Sequence, residues 1–155
     1  KVGKYMKRII CNTLIIINII IIILMIAQVT ALMYEDKKYI EKGYYDMAEY
    51  SEGVFQDYTD YNKYYYKSKY DKEFKKNKYY TEVNKDNIEE LTNYIIKFST
   101  WMEDAQDIYD FNLESINEGD LFFQKKDENY PPYGYIHIYY YDIETHTLYY
   151  MHSNI

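Results

Sequence analysis

The distribution of apolar and polar residues divides the chain into an apolar N-terminal stretch and a mixed remainder. No charged residue occurs in residues 9–33, and the stretch 14–27 contains a single polar residue, Asn18. A helix needs about 20 apolar residues to span the hydrocarbon core of a bilayer, and helices buried in soluble domains are seldom apolar on every side. The pattern therefore predicts a transmembrane helix or signal anchor over residues 9–33.

Basic residues flank this stretch on one side only. No acidic residue occurs before residue 34, and the positive charges are Lys1, Lys4, Lys7 and Arg8. Because positively charged flanks stay in the cytoplasm, we expect the N-terminus inside the cell and residues 34–155 outside it. The alternative is secretion after cleavage at Ala31, because small residues stand one and three places before that cut. Met6 as the true start would give an ordinary signal-peptide head.

The spacing of apolar residues after the stretch predicts two helices. The first covers residues 34–78 as a juxtamembrane stalk, because one face collects Ile40, Tyr44, Met47, Val54, Tyr58, Tyr61 and Tyr65. The second runs from about 87 to about 107, with Asp86 and Glu89 forming a capping box. Its apolar stripe consists of Ile88, Leu91, Ile95, Phe98, Met102 and Ala105.

The last third of the chain changes to the period of strands. The predicted strands are Leu121–Lys125, Tyr135–Asp142 and Thr147–Ser153, with a loop at Tyr130–Gly134 and a hairpin turn at Ile143–His146. We expect an α+β fold: the transmembrane helix, two helices, then a three-stranded antiparallel meander. The predicted segments are a cytoplasmic flank (1–8), the anchor (9–33), the stalk and a Lys/Tyr-rich loop (34–80), and an α+β ectodomain (81–155).

Pairing in the predicted hairpin follows from its turn. Residues whose numbers sum to 289 should face each other, which puts His137 opposite His152. One face should then carry Ile136, Ile138, Tyr140, Tyr149 and Met151 and cover the apolar stripe of the second helix. The order of elements resembles that of cystatin-like or NTF2-like ectodomains.

The paired histidines are the candidate metal site. Opposed Cβ atoms lie ~4.5–5.5 Å apart, so the imidazoles of His137 and His152 could share a metal, given a third ligand. The structural interpretation, which we favour, is a stacked and partly exposed pair in a polar aromatic face. Acidic residues crowd the end of the second helix and could hold calcium, although a solvated acidic face is the commoner cause: Glu103, Asp104, Asp107 and Asp110.

Composition bears on location and partners. Fourteen of the 18 basic residues and all 25 acidic residues lie beyond residue 33, a formal charge of −11 for that part. Such a surface repels phosphate backbones, which excludes nucleic-acid binding. Of the 24 tyrosines we expect most to fill the core, with Tyr64–Tyr66 as a candidate exposed contact surface. Frequent Ile, Lys, Asn and Tyr are typical of an AT-rich, bacterial genome, and the single cysteine, Cys11, excludes an internal disulfide.

Motifs of known enzyme classes are missing from the sequence. It has no Gly-rich phosphate loop, no GxSxG elbow and no HExxH pair. We therefore expect a membrane-anchored extracytoplasmic binding module without catalytic activity or cofactor, whose partner is a protein or an envelope component. One alternative is a structural subunit, because Asn12–Ile15 resembles the start of a mature pilin. The other is a secreted metal-binding protein using His137 and His152.

Overall fold

The computed structural model describes residues 13–27, 38–54, 57–105, 107–126 and 135–154. The chain forms two compact units, residues 1–40 and residues 41–155. In the first unit, residues 13–27 form helix α1, and every side chain of this helix is exposed. The predicted loop Tyr130–Gly134 lies outside the described residues.

The prediction of a transmembrane helix over residues 9–33 is wrong. In the structure, the described part of this segment is helix α1, residues 13–27. Within the part of the chain that the structure describes, no helix combines the length and the apolar character needed to cross a membrane. Residues 9–12 and 28–33 lie outside the described ranges.

The second unit is built on one six-stranded antiparallel sheet. In chain order its strands are β1 (Asp46–Val54), β2 (Asp57–Tyr65), β3 (Thr81–Glu82), β4 (Leu121–Gln124), β5 (Tyr135–Asp142) and β6 (Thr147–Asn154). They lie in the sheet in the order β1-β2-β6-β5-β4-β3. Two helices accompany the sheet, α2 (Asp71–Lys76) and α3 (Ile88–Trp101), with single 3₁₀ turns at Ser68–Tyr70, Glu103–Ala105 and Leu113–Ser115.

The predicted helix over residues 34–78 is wrong. The expected total of three strands is wrong as well, although the three predicted strands are present and pair in the predicted order as β4, β5 and β6. Strands β1 and β2 form a hairpin in that region, and β2 pairs with β6, so the sheet has six strands. Tyrosine fits a pleated, half-buried surface better than a helix, and Gly53 adopts a φ of 112° next to the hairpin turn. Pairing with a strand some 90 residues away outweighed the local three- and four-residue spacing.

The C-terminal hairpin agrees with the prediction. Strands β5 and β6 pair antiparallel, with His137 opposite His152 and Tyr139 opposite Tyr150. The turn between them is closed by Asp142, whose carboxylate accepts hydrogen bonds from the backbone N–H groups of residues 144 and 145 at 2.8 and 3.0 Å. This local Asx turn explains why the turn and the register were readable from the sequence.

Helix α3 covers one face of the sheet and closes the main core. Leu91, Ile95 and Phe98 are buried, and they belong to one cluster with the predicted strand residues Ile136, Ile138, Tyr140 and Met151. The helix starts one residue later than predicted, with Asn87 as N-cap, and it ends at Trp101 rather than near 107. The predicted inward face of the hairpin is thereby confirmed.

The opposite face of the sheet is partly covered by α2 and its flanks. The Phe74 ring stacks on the Tyr141 ring at 3.9 Å, and the Tyr141 hydroxyl donates to Asp71 at 2.7 Å. Tyr66 is buried beside them and donates to the backbone oxygen of Glu41. Since Tyr64 is buried as well, the prediction of an exposed surface at Tyr64–Tyr66 is wrong. These tyrosines fill the second core.

Candidate functional site

The two central histidines meet on the sheet face opposite α3. Successive side chains of a strand point to opposite faces, so odd-numbered residues of β5 and even-numbered residues of β6 share this face. The imidazoles of His137 and His152 stack with centroids 4.2 Å apart and planes at 22°. They are only 2% and 8% exposed. The stack is as expected, but the pair is buried rather than partly exposed.

Both ring nitrogens of His137 have tyrosine partners. The Tyr135 hydroxyl lies 2.8 Å from Nδ1, and the Tyr139 hydroxyl lies 3.0 Å from Nε2. Burial, followed by the charges of His152 and Lys125, lowers the pKa of His137 to about 2. The ring is therefore neutral at physiological pH, so one nitrogen donates a hydrogen bond and the other accepts one.

His152 is held in the same way. The Tyr150 hydroxyl lies 2.8 Å from Nδ1, and the Tyr58 hydroxyl lies 3.0 Å from Nε2. The carboxylate of Asp60 is 3.6 Å from Nδ1, beyond the shorter contact with Tyr150. Four tyrosines thus surround the two imidazoles, a polar network inside an aromatic layer.

This arrangement is unfavourable for a metal, although it brings the two candidate ligands together. The lone pairs of an imidazole lie in its ring plane, so two stacked rings direct them side by side rather than toward one point. The tyrosines already occupy the four nitrogens of His137 and His152. Among the described residues, no group of three or more His, Cys, Asp or Glu side chains could hold a metal ion. Metal binding stays a prediction.

Asp110, the last of the four acidic residues after α3, pairs with side chains of the sheet. Asp110 turns back toward the sheet, where it accepts hydrogen bonds from the Tyr61 hydroxyl at 2.9 Å and from Lys63 at 2.5 Å. Partial burial raises the pKa of Asp110, but the bonds from Lys63 and Tyr61 outweigh it, and the net pKa is lowered. Asp110 is therefore part of a structural ion pair rather than a ligand poised for calcium.

A shallow groove lies next to this ion pair. Its empty volume is about 240 Å³, part of it open to solvent, and its lining includes Ala48, Tyr61, Lys63 and Ile108. Pockets that enclose small ligands usually measure ≈ 300–1,000 Å³. The groove is too small and too open to enclose a substrate.

Strand β1 is the open edge of the sheet. It is nine residues long, and along residues 46–53 every side chain is exposed except that of Tyr50, which is half-buried. No strand among the described residues pairs with its outer side. The far end of the sheet finishes with β3, which has two residues. An exposed edge of this length presents a row of backbone N–H and C=O groups to a partner chain.

Sequence reasoning missed this edge because it assigned residues 34–78 to a helix. Two signals could have revealed the hairpin. Residues 57–65 contain four tyrosines and a threonine, which favour strands. Gly53 just before the turn is a typical strand-end residue that a helix would tolerate poorly.

Comparison with protein-family models, with curated proteins and with solved structures finds no significant match to this chain.

Proposed function

We propose that this chain is a non-catalytic protein-binding module that receives an extended segment of its partner along β1. The observation that carries the proposal is the exposed nine-residue edge strand. Pairing with such an edge supplies main-chain hydrogen bonds for affinity, and the alternating side chains supply selectivity.

The strands that hold β1 in place favour a role in binding an extended segment. Strands β1, β2, β6 and β5 form a continuous antiparallel ladder, so β1 is held in an extended conformation before a partner arrives. Tyr50 packs against the core, and its hydroxyl donates to Glu52. A strand that is already ordered loses little conformational entropy on binding, so more of the pairing energy contributes to affinity.

Catalysis has little support from the titratable groups. The buried imidazole of His137 is neutral and hydrogen-bonded at both nitrogens, and Asp110 is paired with Lys63. The groove beside Asp110 is partly open to solvent and does not enclose a substrate. A binding role requires none of these groups to react.

The test uses a synthetic nine-residue peptide of threonine and valine with lysines at positions 2, 5 and 8. Binding to the full chain is measured by fluorescence anisotropy. Two further versions carry N-methyl groups on the odd or on the even peptide residues, which removes the backbone donors of one edge at a time. We expect one version to lose binding and the other to retain it. Equal affinity of all three versions, or no binding at all, would overturn the proposal.

A second candidate is the pilin-like structural subunit. The observation in its favour is that α1 exposes all of its large apolar side chains, at 46–61% of their surface, and carries no charge. Exposed apolar surface of this extent usually marks a contact site, here with α1 of further copies. Electron microscopy of the purified chain tests it: filaments are expected, and a dispersed monomer at high concentration would argue against it.

A further inference from the structure

We infer that β1 selects partner segments rich in lysine and arginine. This inference rests on the proposed function and names the chemistry of the partner. Strand β1 contains three acidic residues, Asp46, Glu49 and Glu52, and no basic residue. All three side chains are exposed.

The three acidic side chains of β1 are placed to contact side chains on both faces of a strand that pairs with this edge. Since side chains alternate along a strand, Glu49 lies on one face of the sheet and Asp46 and Glu52 lie on the other. Their spacing of three residues matches basic residues repeated every third position on a paired segment. Met47, which is 41% exposed, adds an apolar contact between two of them. Opposite charges directly across two strands contribute roughly 0.2–1 kcal/mol per pair.

The surroundings of the edge reinforce its negative potential. Strand β2 has one basic residue, Lys63, and this lysine forms an ion pair with Asp110 at 2.5 Å. Asp60 lies behind Ser51, whose hydroxyl donates to it. The part of the chain beyond residue 33 has a formal charge of −11, which attracts a basic partner during its approach.

A second copy of this chain is a poor occupant of the edge. Two β1 strands placed side by side would bring three acids against three acids without a compensating base. Like charges opposite each other destabilise a strand pair. Acidic residues on an edge also serve to prevent aggregation, and in that interpretation the edge binds neither basic nor neutral segments.

The experiment compares the lysine peptide with two matched peptides in which the three lysines are glutamine or glutamate. Because positions 2, 5 and 8 read the same in both directions, parallel and antiparallel pairing are probed together. We expect the lysine peptide to bind roughly tenfold more tightly than the glutamine peptide and the glutamate peptide not to bind. The difference should shrink as the salt concentration rises.

The variant Glu49→Gln/Glu52→Gln should weaken binding of the lysine peptide roughly fivefold and leave the glutamine peptide unaffected. The control Glu114→Gln/Glu118→Gln removes the same charge from exposed positions before β4 and should bind like the wild type. Equal affinity of the lysine and glutamine peptides would refute the charge selection and leave strand pairing intact. Lysine-dependent binding that ignores N-methylation of either edge would instead refute strand pairing.

Discussion

At the scale of single residues, the neutral His137 makes the stability of the fold depend on pH. Its pKa is about 2 in the folded protein and ~6.5 in an unfolded chain, so between these values the unfolded state binds more protons. Stability is therefore lost as the pH falls below about 6.5, by up to ~1.4 kcal/mol per pH unit. Urea denaturation of the wild type and of His137→Gln at pH 7 and 4.5 measures this slope. If the free energies of unfolding of the two proteins changed by the same amount between these pH values, His137 would not be the cause of the pH dependence.

Zinc should leave the folded protein unchanged. The tyrosine hydroxyls hold the nitrogens of His137 and His152, and the stacked rings do not converge on one point. Thermal unfolding with and without zinc chloride checks this expectation. A zinc-dependent rise of the melting temperature that disappears in His137→Gln would restore the metal site.

Two tyrosines of the core should respond oppositely to loss of the hydroxyl. The Tyr109 hydroxyl is buried and forms no hydrogen bond with the described residues, so Tyr109→Phe should stabilise the fold by ~1 kcal/mol. The Tyr140 hydroxyl donates to Asp120 at 2.5 Å, and Tyr140→Phe should cost ~1–3 kcal/mol because the buried carboxylate loses a donor. Chemical denaturation of both variants measures the two changes in the free energy of unfolding. Destabilisation of equal size would show that Tyr109 has a partner.

At the scale of elements, the contact between β5 and α3 carries the main core. Ile138 is fully buried in the cluster that contains Ile95 and Phe98, so Ile138→Ala should cost ~2–5 kcal/mol. Ile96 on the same helix is 42% exposed, and Ile96→Ala is the matched control, with an effect within about 0.5 kcal/mol. Both are measured by denaturation of the full chain. A harmless Ile138→Ala would mean that this face does not form the core.

In some elements the local sequence pattern predicts the conformation that the tertiary structure has, and in others long-range strand pairing overrides it. Helix α3 and the β5–β6 hairpin were predictable because a helical stripe and an Asx turn act within a few residues. Strands β1 and β2 were not, because their tyrosines recur at spacings that fit one face of a helix. What decided their conformation is the row of partners on β6, such as Met151 opposite Tyr61. Propensity is a weak prior where long-range pairing is available.

At the scale of the whole molecule, the location outside the cytoplasm is a proposal from the N-terminal charge pattern. Protease added to intact cells, or to spheroplasts if a wall intervenes, should digest residues 41–155 while a cytoplasmic marker survives. A fully protected C-terminal unit would contradict the proposal. The acidic, open β1 edge would then face cytoplasmic partners, and the peptide experiments would keep their meaning.

The sequence predicted one part of the candidate site, and the structure added the rest. The sequence placed His137 opposite His152 because the turn sets the register, and the structure has the same pair. The sequence did not show that four tyrosines would enclose the pair, since Tyr58 comes from β2, which was assigned to a helix. The β1 edge was not predicted either, because β1 lies in the same segment that was assigned to a helix.

Features that depend on neighbouring residues were predictable from the sequence: the apolar character of residues 14–27, the stripe of α3, the C-terminal hairpin with its inward face, and the strongly acidic balance beyond residue 33. The tertiary structure alone shows that β1 and β2 extend the sheet to six strands and that both histidines are buried, with His137 neutral. The reason is that strand pairing and burial join residues far apart in the chain, and no local pattern records which distant segment will supply the partner.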